Sequence, residues 1–333
     1  MPATATNAEA TAALALAALA IILLHWLTWQ AVRLLALAAR RLPPRLTGAR
    51  AWARAHPVRA ALERRFPRTY GFLERRLTPR PFTGLPLTLM VLAAVYLAAL
   101  LGGLVEDLLE AEELVALDHA VNDSFKPYRE TYLVDVLAWI TDLGGSPALI
   151  AVALVATGFL WADRRPRFIP PLWITFAGAH ATTYLGKFGF ARGRPEFLTE
   201  VTALTPSFPS GHATGSLAVY GFVAYAIARD LPVPALRGRF ELAFWTLVLV
   251  ACIGFSRMFL SVHYASDVAA GFLVGGFWLL VGFAVYEYLR QGDADAGARA
   301  AVASAAAAAA HPDAGPTDDG GTTGCGAGGG FRG

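Results

Sequence analysis

Apolar residues in this chain come in long runs, not in the alternation of a half-buried strand. Seven runs stand out, at 12–35, 85–105, within 133–161, 168–186, 211–228, 242–255 and 268–286. Most reach the ~18 residues that a helix needs to cross a bilayer. Helix is the expected state, because in lipid every backbone polar group must find a partner within its own segment. A β-barrel would alternate apolar and polar positions instead. The pattern predicts an all-α integral membrane protein. A six-helix bundle over 84–290 follows an N-terminal membrane anchor and linker (1–83), and an Ala/Gly-rich tail (291–333) is expected to be disordered. The first run lacks a basic leading region and a clear cleavage site, so it reads as an anchor and not as a signal peptide.

Composition agrees with this reading. The chain is 56% hydrophobic and 16% charged, whereas soluble domains carry about 25% charged residues. A net charge of +3 makes no case for nucleic acid. Of the two cysteines, Cys252 lies in an apolar run and Cys325 in the glycine-rich tail, which excludes a disulfide scaffold and a cysteine zinc site.

The distribution of charge matters more than its sum. Arginines crowd residues 40–80, the turn 163–167 and the segment 229–239. Placing these on the cytoplasmic side lets all seven spans alternate. The N-terminus, the acidic stretch 106–118 and the connections 187–210 and 256–266 then face outward, and the C-terminal tail faces inward. The Arg-rich linker reads first as an orientation signal, with an interfacial helix on anionic lipid as the alternative.

Three polar clusters fall on the expected outer side. The first is Lys187 through Pro195, with Lys187, Arg192 and Arg194. A lone lysine at a span end is usually a snorkelling anchor, but three cations within eight residues suit a phosphoryl group. Lys187 and Arg194, seven apart, share a face if the helix continues between them. The second is Pro209-Ser210-Gly211-His212, a helix start whose free N–H groups favour an anion. It also fits a plain capped helix. The third is Ser256-Arg257, His263 and Asp267. On a helix, His263 and Asp267 share a face, and the carboxylate orients the imidazole. Such a pair is often only structural. Arg192 reads as facing lipid headgroups. His180 reads as a hydrogen-bonded intramembrane histidine, with support of the neighbouring site residues as the alternative, His25 as a helix-packing or interfacial residue and Tyr264 as an interface anchor. His119 has no assigned role, and Glu196 and Glu200 are placed near the site's entrance. No set of residues has metal-ligand spacing, so no metal and no cofactor are expected.

Lys187 with Arg194-Pro195, then Pro209-Ser210-Gly211-His212, then Ser256-Arg257, His263 and Asp267 resemble, in order and spacing, the three-part signature of the type 2 phosphatidic acid phosphatase superfamily. That family comprises membrane lipid phosphatases, with the soluble vanadium haloperoxidases as relatives. The resemblance covers about residues 84–290. It implies a nucleophilic His263, an orienting Asp267 and His212 as general acid. Lys187, Arg194, Ser210, Gly211 and Arg257 would bind phosphate. The implied activity is metal-independent hydrolysis of a lipid phosphate or isoprenoid diphosphate through a phosphohistidine, at the outer face of the plasma membrane. The partners are the lipid substrate and membrane lipids, with oligomeric state open. Competing readings are a catalytically silent lipid-binding or transport-like protein of the same fold, and vanadate-dependent oxidation, which seven apolar spans disfavour.

Overall fold

The structure is a computed structural model of the chain. It describes residues 5–41, 61, 63–78, 82–195, 205–232 and 235–310. Most of the Arg-rich linker, Glu196, Glu200, and the tail beyond 310 with Cys325 lie outside the described residues.

Among the described residues every regular element is helical. The helices are α1 (Asn7–Arg41), α2 (Pro67–Leu77), α3 (Leu85–Glu110), α4 (Glu112–Ser124), α5 (Leu133–Asp142) and α6 (Ser146–Ala162). They continue with α7 (Ile169–Phe190), α8 (Gly211–Asp230), α9 (Leu236–Phe259) and α10 (Ala265–Ala310). By compactness, residues 1–289 form one unit and residues 290–333 a second. Residues 291–310 are helical, contrary to the disordered tail expected from composition. The segment is alanine-rich, and alanine is the strongest helix former.

Each of the seven apolar runs is helical. Helices α1, α3, α9 and α10 are long and apolar enough to cross a membrane, and α5 with α6, bent by 44°, makes a fifth candidate. Helices α7 and α8 do not reach that standard of apolarity. They hold His180, Thr183, Lys187, His212, Thr214 and Ser216, and so trade lipid-like composition for polar side chains turned inward.

Helix α8 is the hub, packed against α6, α7 and α9. Its Ala218, Val219 and Phe222 are buried, along with Leu149 of α6, Leu172 of α7 and Ile253 of α9. Against α10 the approach is closer still. A Cβ on Gly271 would lie 2.7 Å from the Ser210 carbonyl oxygen, and one on Gly275 would lie 2.6 Å from that of Thr214. In lipid the apolar effect does not drive helices together, so small residues that let backbones touch carry the packing. At the other extreme, α3 buries no residue, and Leu89, Leu92, Val95 and Tyr96 are exposed. These are the side chains that hydrocarbon would solvate.

Two features position the site. The break between α5 and α6 falls at Leu143–Gly145. Gly144 is required there, because a Cβ would sit 2.4 Å from Ile253 and 3.3 Å from His212. Helix α4 buries Asp118 and Asn122, one turn apart. Asn122 Oδ1 accepts from Ser261 (2.7 Å) and from Arg129 (2.9 Å). Ser261 has φ of 58°, and this bond holds the strained turn between α9 and α10. The N-terminal α1 is tied to α9 by His25, whose Nε2 lies 2.8 Å from Glu241 and whose ring packs on Phe240, Phe244 and Trp245. Of the two roles expected of it, packing is the one observed.

Candidate active site

The C-terminal ends of α7 and α9 and the N-terminal ends of α8 and α10 meet at one end of the bundle, next to the α5–α6 break. The basic turn 163–167 and the arginines Arg229, Arg237 and Arg239 lie at the opposite helix ends. A cavity of about 210 Å³ lies at this junction, lined by Lys187, Arg194, His212, Arg257, His263 and Gly211, with His180, Thr183, Tyr184, Thr205 and Ser146 on its other walls. Six of the eight residues singled out in the sequence therefore face one space. The other two, Ser210 and Asp267, stand behind it, fully buried.

The routes by which they converge differ from simple helical spacing. Helix α7 ends at Phe190, and Ala191 is left-handed at φ 45°. Lys187 and Arg194 therefore do not share a helix face. Arg194 swings back from a loop, donating to Thr205 O (2.9 Å) and Val262 O (2.6 Å). Lys187 Nζ donates to Pro206 O at 2.6 Å. The segment 205–207 is thus held between both cations. His263 likewise precedes α10, so its pairing with Asp267 joins a loop to a first helical turn. His263 Nδ1 lies 3.5 Å from Asp267 Oδ2 and 3.4 Å from Ser207 Oγ. Ser207 donates to the same Asp267 oxygen and bridges the pair. Ser210 occupies the N-cap of α8, but its hydroxyl caps nothing. Its backbone N–H instead donates to the Asp267 carbonyl (2.9 Å), locking the starts of α8 and α10 together.

Three buried side-chain donors have no partner among the described residues: Ser210 Oγ and Arg257 Nε at this site, and Arg239 Nε at the other end of the bundle. Buried polar groups in folded proteins are nearly always paired. The two at the site stand beside a cluster of cations, a setting that favours anionic oxygens. The other end of Arg257 is anchored by Thr141 Oγ1 at 3.0 Å. Burial pushes the His263 imidazole down to about 4, against the opposing pull of Asp267. The ring is therefore neutral at pH 7, with Nε2 3.5 Å from Arg194.

Three residues behave differently from expectation. Arg192 does not face headgroups. Its guanidinium donates to Asp267 Oδ1 (2.7 Å), Ser266 Oγ (2.8 Å) and Asp118 Oδ2 (2.8 Å), and lies 4.4 Å over the Tyr264 ring. Burial alone would lower its pKa, but Asp267 and Asp118 together raise it. Tyr264 is buried beneath it and is no interface anchor. Its N–H donates to Asp267 Oδ2 at 2.9 Å. Asp118 also accepts from Ser266 N (3.0 Å) and the Ser266 hydroxyl. Sequence reasoning missed Asp118, Ser207 and Thr205. For Asp118 a signal existed, since Asp118 and Asn122, four apart, share a helix face within the mostly apolar segment 114–122. Ser207 and Thr205 carry no signal, being loop residues placed by the cations they touch.

Among the described residues, no group of three or more His, Cys, Asp or Glu could hold a metal ion. The positive charge of the site comes from Lys187, Arg194 and Arg257.

The comparisons with known proteins point the same way. The PAP2 superfamily model matches residues 148–291, which contain all three signature clusters. Phosphatidylglycerophosphatase B of Bacillus subtilis is 28% identical over 168 residues, covering 50% of this chain and 82% of that protein. Decaprenylphosphoryl-5-phosphoribose phosphatase of Mycobacterium tuberculosis is 38% identical over 101 residues, covering 29% of this chain and 49% of that one. In structure, the chain resembles a transmembrane PAP2-type phosphatidylglycerolphosphate phosphatase from Bacillus subtilis. The TM-score is 0.54 at 25% identity, over 60% of this chain and 96% of that one. With its helical bundle, its apolar spans and its three convergent clusters, this chain is a multi-pass membrane protein whose residues 148–291 match the PAP2 superfamily.

Proposed function

We propose that this protein is a metal-independent lipid phosphate phosphatase working through a phosphohistidine. The observation that carries the reading is the lining of one cavity by His212, His263 and three cations, with Ser210 Oγ and Arg257 Nε buried and unpartnered beside them. Lys187, Arg194 and Arg257 hold the nonbridging oxygens of a phosphoryl group. Ser210 Oγ and the first N–H groups of α8 supply further donors. Neutral His263 attacks phosphorus through Nε2, while Asp267 and Ser207 hold the proton on Nδ1. As the N–P bond forms, the bond to the ester oxygen breaks, and His212 gives that oxygen its proton. His212 then takes a proton from water as the water oxygen attacks phosphorus. The N–P bond breaks, and phosphate and neutral His263 are regenerated. Three fixed cations offset the charge on the transferring group, so the scheme needs no metal.

The far helix ends are cytoplasmic in this reading, by the excess of arginine on that side. The site then opens at the outer face of the plasma membrane, where a lipid headgroup reaches it while its chain stays in hydrocarbon. The relatives are named for phosphatidylglycerophosphate and for decaprenylphosphoryl-5-phosphoribose. The candidate substrates here are phosphatidylglycerol phosphate, phosphatidic acid and isoprenoid diphosphates.

The test is phosphate release from a panel of these lipids in detergent with EDTA present, beside His263→Ala. Release by the wild type and loss of at least ~10³-fold in the variant supports the scheme. A folded wild type that releases nothing favours a catalytically silent lipid binder of the same fold.

A further inference from the structure

The cavity has one wall that the phosphoryl chemistry leaves unused. His180 stands on it, on α7, seven residues before Lys187 and therefore ~10 Å further along the helix axis. Its ring is fixed on three sides. Nδ1 bonds the Phe176 carbonyl at 3.0 Å. The ring stacks on Phe176 at 4.1 Å. Its Cε1 edge lies 3.4 Å from where a Cβ on Gly215 would stand. A Cβ on Gly215 would collide with Leu149 at 2.5 Å and lie in van der Waals contact with this ring.

The Phe176 carbonyl only accepts, so the hydrogen must sit on Nδ1. That leaves Nε2 as a lone-pair acceptor. Nε2 has no hydrogen-bond partner among the described residues, although the ring lines the same cavity as His212. A lone-pair acceptor repels the oxygens of a phosphate, so Nε2 is unsuited to bind the transferring group. It is suited to an O–H donor. Gly215 follows His212 by three residues on α8, on the same helix face. His180 therefore stands one turn beyond His212 in the same cavity, so with His212 at the leaving oxygen it is the leaving group that extends toward His180.

We propose that His180 reads a hydroxyl on the leaving group. It would favour lipid phosphates whose phosphate is carried by a polyol headgroup over those whose phosphate sits directly on the diacylglycerol. This rests on His212 acting at the leaving oxygen, as above. The step is pure recognition: the substrate hydroxyl donates to Nε2, and no bond is made or broken. A site built around such a bond discriminates against the analogue that lacks the hydroxyl, because the half-buried acceptor is then covered by substrate and left unpaired.

The experiment compares wild type, His180→Phe and His180→Gln, each purified as the full chain. The substrates are phosphatidylglycerol phosphate, whose leaving group carries a free hydroxyl, and phosphatidic acid of the same acyl chains, whose leaving group carries none. Phenylalanine preserves the stack on Phe176 and removes the acceptor, whereas glutamine restores an acceptor oxygen. The expected result is a wild-type preference for phosphatidylglycerol phosphate in kcat/KM. That preference falls about tenfold in His180→Phe and returns in part in His180→Gln. An unchanged ratio in both variants overturns the inference, as does an equal fall on both substrates. If wild type hydrolyses neither lipid, the proposed function fails, and that outcome is distinct from the other two.

Discussion

A neutral, buried histidine is a better nucleophile than a charged one, and His263 is held in that state by its surroundings. Its folded pKa of about 4 lies below the ordinary value near 6.5. In the proposed scheme the neutral form is the reactive one, so activity stays full down to pH ~5 and is lost as pH falls through the folded value. The acidic limb of kcat/KM, corrected for titration of the substrate's own phosphate, is expected near 4 to 5. A limb due to the enzyme near 6.5 contradicts the burial seen here. His212 makes a second test. Its replacement by alanine should cost ~10²- to 10⁴-fold on an alkyl phosphate, the usual worth of general acid catalysis, and much less on an activated aryl phosphate. Equal losses on both would remove it from the leaving-group step.

Individual side chains in this site are held by whole elements. Asp267 takes Arg192 on one oxygen and Tyr264 N–H, Ser207 and His263 on the other. Arg192 in turn is held by Asp118 from α4. Removing one member of a buried ion pair strands the other, at a cost of ~3–5 kcal/mol. Asp118→Asn is accordingly expected to lower thermal stability in detergent and to cut kcat more than it raises KM, because Asp118 touches no substrate. A change confined to KM would place Asp118 in substrate binding instead. The α8–α10 contact gives the corresponding packing test. Gly275→Leu drives a side chain into the Thr214 carbonyl 2.6 Å away, and overpacking of this kind costs ~1–3 kcal/mol. The melting temperature should fall, whereas Gly189→Leu, at a position open on all sides, should leave it unchanged.

For the molecule as a whole, two opposed ends follow from the helix order. The proposed catalytic side chains gather at one end, and the arginines of 163–167 and 229–239 lie at the other. In cells, with Cys252 and Cys325 replaced by serine, a cysteine at exposed position 126 should react with an impermeant maleimide from outside. One at exposed position 163 should react only after lysis. The reverse pattern inverts the topology and places the site in the cytoplasm.

Much of this was legible along the chain because lipid imposes a length and a composition on each spanning segment. The seven apolar runs, the motif residues and their order could be read without coordinates. Convergence of those motifs was only implied. Lys187 and Arg194 looked like neighbours on one helix, and so did His263 with Asp267, but both pairs meet through loops whose path local propensity does not specify. Arg192 had the composition of a headgroup contact. It is instead the centre of a buried cluster with Asp118, 74 residues away in sequence. Periodicity reports which face of a helix is apolar, and so determines that a helix spans and where it ends. It does not report which distant side chain meets a loop residue. Those pairings are set by how closely α8 and α10 can approach through Gly271 and Gly275, and by where α4 lies across the His263 turn. Only the tertiary structure decides them, because buried charges are paired by position in space and not by distance along the chain.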